Sequence, residues 1–191
     1  MLGLYILVSI NMNAIMLIIN YFGVIYMTTI IQKKLKKIKL VLTDVDGVLT
    51  DGGIFYTKDG EFMKKFNTRD SMGMELLLKC GVKTVFITRE NSEIVKKRVE
   101  KIKVADLYSG ITDKKLFLPE IMEKYDVEYD EIAYIGDDIN DIEIMKSIAF
   151  AATPYDGNFA VKKVSHYKCK AKGGEGAFRE VADLIINLKT S

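Results

Sequence analysis

Residues 39–50, Lys-Leu-Val-Leu-Thr-Asp-Val-Asp-Gly-Val-Leu-Thr, restrict what this chain can fold into more than any other stretch. The apolar run Leu40 to Leu42 ends in Asp44 and Asp46, and Gly47 follows at once. A short apolar run closed by a turn signal reads as a buried strand of a parallel sheet. Open α/β sheets bind their ligands just past the ends of such strands. In extended backbone the two carboxylates would face opposite ways, but a turn led by Gly47 brings both to one pocket. Crowded carboxylates repel, so they need a cation, a shared proton or strong donors. The bland alternative is a solvated Asp turn after a strand.

The rest of the chain repeats the strand–helix alternation. Apolar runs at 82–88, 104–108, 132–135 and 149–152 read as strands. Helices are expected over 71–79 with Gly81 as stop, 92–102, from about Leu116 with Pro119 in the first turn, 139–147 and 177–188. Such alternation predicts an α/β fold, a parallel sheet flanked by helices with right-handed crossovers. One insertion stands out. Lys58-Asp59-Gly60 separates Ile54–Thr57 from Glu61–Phe66, a β-hairpin signal directly after strand one. It reads as an ornamental flap, an oligomerisation ribbon or a small cap.

Length and charge exclude some classes. The chain has 191 residues, enough for one domain with a proper core, and no second domain or repeat is visible. A net charge of +2 lacks the dense basic face that nucleic-acid binding requires, so no nucleic acid is expected. Cys80 and Cys169 make neither a disulfide framework nor a metal-ligand spacing. Residues 1–32 are set apart from the domain at 33–191. From Leu2 to Met27 no residue is charged, and the stretch is long enough to cross a bilayer. Lys33, Lys34, Lys36, Lys37 and Lys39 follow, so an anchor here would leave the domain in the cytoplasm. Asn11, Asn13 and Asn20 would be costly in hydrocarbon, and the competing reading is that translation begins at Met27. A membrane partner is expected only under the anchor reading. The lysine run itself reads as anionic-lipid contact or as a solvated lead-in to the first strand.

Three further signals follow in order. Thr88 ends the run Thr84-Val-Phe-Ile87, Lys114 follows Asp113, and Gly136-Asp-Asp-Ile-Asn-Asp141 closes the run Ile132 to Ile135. Singly, each has an ordinary explanation: a β-branched strand residue, a solvated charge, a helix cap. Together with Asp44-x-Asp46 they resemble the four motifs of the haloacid dehalogenase (HAD) phosphatase superfamily, whose fold is Rossmann-like. The resemblance implies Asp44 as nucleophile, Asp46 as acid and then base, and Thr88 and Lys114 as phosphoryl ligands. It implies Mg2+ held by Asp44, the Asp46 carbonyl and Asp137, with Asp138 and Asp141 orienting those ligands or holding Lys114.

Residues 43–53, Phe66-Asn-Thr-Arg-Asp70, 134–141 and 173–180 further resemble the 3-deoxy-octulosonate 8-phosphate phosphatase group. That likeness implies a phosphorylated sugar acid as substrate and a homotetramer with no large cap domain. Hairpin 54–66 would lie at the subunit interface and help close a neighbour's site. Gly47, Arg69 and Asp70 would lie near the substrate, and a flexible tail over 173–179 would bring Arg179 to the mouth. One departure bears on specificity. Where that group carries Thr-Gly-Arg, this chain has Thr88-Arg89-Glu90. Glu90, with Lys101 and Ser71, is similar instead to phosphatases of nine-carbon acids, the ketodeoxynononate and sialic acid 9-phosphates. A glutamate accepts hydrogen bonds from sugar hydroxyls, although Glu90 could equally cap the next helix. The alternatives from other classes are a silent HAD module beside a nucleotide-sugar synthase, a receiver domain and a membrane adaptor.

Overall fold

The computed structural model describes residues 29–102 and 104–190. The expectations for residues 2–27 lie outside the described residues. A helix, α1, covers residues 29–37 and leads into β1 (Leu40–Thr43). Of its lysines, Lys37 pairs with Asp130 at 2.7 Å, and Lys39 beyond it pairs with Glu131 at 2.6 Å. Both lie at the surface and are pairs of little net worth. Among the described residues no helix is long and apolar enough to cross a membrane.

Six strands form the main sheet: β1, β4 (Lys83–Ile87), β5 (Asp106–Tyr108), β6 (Ile132–Ile135), β7 (Phe150–Thr153) and β8 (Tyr167–Lys168). Their order is β5-β4-β1-β6-β7-β8, and every neighbouring pair is parallel. The chain winds outward from β1 to β5, then returns to place β6 on the other side of β1. The order therefore reverses between β1 and β6, and the carboxyl ends of these two strands frame the crevice where such sheets bind ligands. Asp44 follows β1 and Asp137 follows β6.

Alternating residues sort the core into two layers. Val41, Phe86, Ala133 and Phe150 pack against α1, α2 (Thr68–Lys79), α3 (Glu93–Ile102) and α7 (Ala177–Lys189). Leu40, Leu42, Val85 and Tyr134 pack on the other face against α4 (Leu118–Tyr125), α5 (Ile142–Met145) and α6 (Phe159–Val164). Phe86, Tyr134, Phe150 and Phe178 are fully buried, each contributing roughly 1.5–3 kcal/mol of transfer free energy.

Local chemistry moves several expected boundaries. Pro119 stands at the start of α4, as the missing N–H requires, but a separate 3-10 turn, Lys114–Phe117, precedes it. The helix expected over 139–147 is a 3-10 turn, Ile139–Asp141, followed by the four-residue α5. The Asp138 carboxylate caps that turn, and the Asp141 carboxylate reaches back to backbone N–H groups instead of facing solvent. The hairpin is present as β2 (Phe55–Thr57) and β3 (Gly60–Met63), antiparallel, turning through Gly60 at φ +117°. It pairs with no strand of the main sheet and leaves Phe55, Tyr56, Phe62 and Met63 exposed.

Candidate active site

The crevice between β1 and β6 is built around a buried ammonium. Lys114 has a side chain with no exposed surface, 2.7 Å from Asp44 Oδ2 and 2.6 Å from Asp141 Oδ1. Its Nζ also donates to the Tyr134 hydroxyl at 3.1 Å, and that hydroxyl donates to Asp141 Oδ1 at 2.7 Å. The second oxygen of Asp141 accepts the N–H groups of Asp137 at 2.9 Å and Asp138 at 3.2 Å. Asp141 therefore anchors Lys114 from below and fixes the loop that carries Asp137. Lys114 loses hydration by burial, yet Asp44 and Asp141 hold its pKa above the ordinary lysine value.

Asp44 is nearly buried, and its Oδ1 accepts the Val45 N–H at 2.7 Å. Burial foremost, then the Asp141 charge, raises Asp44 to about 7 against the pull of Lys114. Burial, reinforced by Asp44, Asp141 and Asp138, raises Asp137 to about 8. Carboxylate oxygens of Asp44, Asp137 and Asp141 lie within 4.8 Å of one another. Asp137 Oδ1 is buried with no hydrogen-bond partner. A lone buried carboxylate oxygen beside a second carboxylate is what a hard divalent cation satisfies. The residues fit Mg2+: Asp44 and Asp137 would supply side-chain oxygens and Asp46 its carbonyl, while Asp141 is already committed to Lys114.

An open cleft of about 260 Å³ lies above this floor. Asp44, Asp46, Gly47, Thr88, Arg89, Glu90, Asp137 and Asp138 line it, with Gly52 and Asn140. Thr88 is buried at the end of β4, its N–H donating to the Tyr108 carbonyl at 2.9 Å and its hydroxyl accepting from the Glu90 N–H at 3.3 Å. Asp138 is exposed and caps the turn that follows it through the Ile139 N–H at 2.8 Å. Sequence reasoning missed Lys64, at the foot of the hairpin. Its Nζ has no exposed surface and donates to both oxygens of Asp46, at 2.8 and 2.7 Å. The missed signal was a lysine at a strand end in an insertion whose neighbours are otherwise exposed.

Four residues expected near the substrate do not line the cleft. Arg69 is exposed at the start of α2. Asp70 is buried, its Oδ1 accepting the Arg179 N–H at 2.9 Å, and burial raises its pKa to about 6. The Arg179 guanidinium turns to Asp183 at 2.7 Å. Lys101 lies at the far end of α3 and lines a separate groove between α2 and α3. The expected flexible tail over 173–179 is instead packed. Gly173 and Gly174 are buried, and the Gly174 N–H donates to the Val48 carbonyl at 3.0 Å. A Cβ on Gly173 would stand 2.0 Å from the Gly47 carbonyl oxygen. Residues 173–174 thus brace the back of the Asp44–Thr50 loop, which requires the absence of side chains.

Gly47 is glycine for two reasons. Its φ is +85°, and a Cβ there would lie 2.0 Å from Asp137 Oδ2. Gly47→Ala therefore displaces Asp137 as well as straining the turn. A displacement of an ångström at such a group costs on the order of 100-fold in rate. We expect kcat to fall by about that factor and the Mg2+ requirement to rise, read by phosphate release across a metal titration. Wild-type rates at wild-type Mg2+ would contradict the packing of Gly47 against Asp137.

A doubly wound parallel sheet with a lysine-braced carboxylate cluster at its switch point defines an α/β protein with a site suited to a divalent cation and a phosphoryl group. Residues 82–179 match the haloacid dehalogenase-like hydrolase family. The chain belongs to this family, as a phosphoric monoester hydrolase of the group around 3-deoxy-D-manno-octulosonate 8-phosphate phosphatase. It is 33% identical to the Haemophilus influenzae 3-deoxy-D-manno-octulosonate 8-phosphate phosphatase KdsC, over 81% of this chain and 86% of that one. The crystal structure of the Moraxella catarrhalis 3-deoxy-D-manno-octulosonate 8-phosphate phosphatase, in complex with magnesium, phosphate and KDO, matches at a TM-score of 0.81. The identity is 34%, covering 84% of this chain and 92% of that one. The cobalt-bound Haemophilus influenzae phosphatase matches at a TM-score of 0.80 and 32% identity, over 82% of this chain and 92% of that one. The capless, Rossmann-like HAD architecture expected from the sequence is the one observed.

Proposed function

We propose that this enzyme hydrolyses the phosphate monoester of a 2-keto-3-deoxy sugar acid through an aspartyl-phosphate on Asp44, with Mg2+ as cofactor. One observation carries the reading: Asp44 sits on the cleft floor against Lys114, with the Asp46 carboxylate on the same cleft wall. In the first step an Asp44 oxygen bonds to phosphorus, the phosphorus–oxygen bond to the sugar breaks, and Asp46 gives its proton to the departing alkoxide. In the second, Asp46 takes a proton from the water that attacks phosphorus, and the Asp44–phosphorus bond breaks to release phosphate. Lys114 and the Thr88 hydroxyl hold phosphoryl oxygens. Bound Mg2+ supplies charge neutralisation for those oxygens.

The sugar-acid class rests on the relatives, whose names and bound KDO give that chemistry for them. Between eight and nine carbons, Glu90 in the cleft favours a nine-carbon acid, ketodeoxynononate 9-phosphate or an N-acylneuraminate 9-phosphate, since its carboxylate accepts from sugar hydroxyls. The exposed Phe55, Tyr56, Phe62 and Met63 support a homotetramer joined through hairpin 54–66. Lys101, Arg69 and Arg179 would then act on a neighbour's substrate. With the apolar N-terminal stretch as an anchor, the lysines after it support a domain facing the cytoplasm.

Phosphate release by the full chain with Mg2+, against octulosonate 8-phosphate, the two nine-carbon 9-phosphates and simple hexose phosphates, tests this. Turnover concentrated on a nine-carbon acid supports the Glu90 argument, and preference for the octulosonate removes it. Folded protein with no turnover on any of them would favour the silent-module alternative.

The raised carboxyls make a metal prediction with a definite sign. Without a cation Asp137, at about 8, carries a proton through neutral pH, and the cation must displace it. Apparent Mg2+ affinity should rise with pH toward 8, by up to about tenfold per pH unit for one displaced proton, and then level off. The same shift makes the chelated protein lose stability between about pH 4 and 8. There the unfolded chain has released a proton that folded Asp137 keeps. Calorimetric titration of Mg2+ from pH 6 to 9 reads the first effect, and an affinity flat with pH would contradict it.

A further inference from the structure

We infer that Lys64 is a positioning residue for Asp46, and that the foot of the hairpin thereby sets the acid–base group of the reaction. The inference rests on the reading of Asp46 as proton donor. The Lys64 ammonium is wholly removed from solvent and meets both oxygens of Asp46, at 2.8 and 2.7 Å. Its other partner is Glu61 Oε1 at 3.1 Å. Glu61 Oε2 in turn accepts from the Ser92 hydroxyl, and Ser92 Oγ accepts the Val95 N–H in the first turn of α3. A continuous chain of contacts therefore runs from the start of α3 through β3 to Asp46.

The geometry excludes a merely ornamental hairpin. A flap would place its polar groups in water, whereas residues 55–57, 62 and 63 are exposed and Lys64, the next residue, is buried. A buried ammonium requires carboxylate partners held in place, and two are present. Asp46 has few other restraints: the Thr50 hydroxyl lies at 3.3 Å from its Oδ1. Lys64 therefore fixes where the Asp46 carboxylate stands relative to Asp44, and proton transfer depends on that placement to within hydrogen-bond reach.

A proton donor matters for a poor leaving group such as a sugar alkoxide and little for the acidic nitrophenol. Lys64→Met should lower the first-turnover rate of alcohol release from the enzyme's sugar-acid phosphate on the order of 100-fold, the scale of general-acid catalysis. On p-nitrophenyl phosphate first-turnover nitrophenol release should stay within about threefold, with half-saturation little changed for either, while steady-state turnover, which needs Asp46 as base in the second step, falls on both. Lys64→Arg should restore most of the loss. Equal first-turnover losses on the two substrates, or a loss carried in half-saturation, would overturn the inference, the first indicating plain structural damage and the second a substrate-binding cation. If Lys64→Met does not fold, Glu61→Gln, which loosens Lys64 while leaving its charge, should show the same selective loss in smaller measure. No selectivity there would equally overturn it. Asp46→Asn separates the underlying reading. A leaving-group-selective first-turnover loss in that variant without one in Lys64→Met sinks Lys64 alone, and a uniform first-turnover loss in Asp46→Asn sinks the proton-donor reading itself.

Discussion

Asp44→Asn is expected to lower phosphate release by on the order of 10⁴-fold or more while leaving the fold intact. The amide matches the carboxylate in size, so the packing around this nearly buried residue survives. It cannot bond to phosphorus as a nucleophile, and it offers a cation a weaker oxygen. The stability side has the opposite sign. Burial and the Asp141 charge already disfavour the ionised form of Asp44, raising it to about 7. A neutral side chain removes that repulsion, and Lys114 keeps Asp141 at 2.6 Å. Metal-free Asp44→Asn should therefore melt at or above the wild-type temperature near pH 8. Activity within tenfold of wild type would remove Asp44 from the chemistry.

Lys114→Met should damage stability and activity together. The ammonium is the cation between Asp44 and Asp141, and the Tyr134 hydroxyl also accepts from it. Breaking a buried ion pair by removing one partner costs about 3–5 kcal/mol, because the remaining charges are left uncompensated. Methionine fills the volume, so the loss reports charge and not a cavity. Urea denaturation should show this loss without metal and a smaller one with saturating Mg2+, since a cation on Asp44 and Asp137 replaces part of the missing charge. Phosphate release should fall to the level of Asp44→Asn. A stability change under about 1 kcal/mol would mean that the lysine is not what holds the cluster.

The strands were legible because each pairs an apolar run with a turn, and the parallel winding follows from their alternation with helices. The carboxylate pair Asp44 and Asp46 was legible for the same reason, as polar residues at the end of a buried strand. What escaped was set by contacts distant in sequence. Lys64 meets Asp46 across 18 residues. No local period marks either partner. The resemblance offered Asp138 and Asp141 alike as holders of Lys114; the 2.6 Å contact is to Asp141, which also accepts two backbone N–H groups. Gly173 and Gly174 suggested flexibility, and only the Gly47 carbonyl against the first and the Thr50–Asp51 backbone against the second explain the absence of side chains. The helix α6 has six residues and β8 has two, too short for a periodicity to show.

The most direct test of the account is to look for phosphoryl on Asp44. Full-length enzyme, turning over a sugar-acid phosphate with Mg2+, would be quenched in acid within the first turnover and its peptides weighed by mass spectrometry. The account predicts one phosphoryl group on the peptide containing Asp44, labile to hydroxylamine and absent from Asp44→Asn. Phosphate release with no adduct on that peptide in any early quench, or an adduct on a different residue, would contradict it.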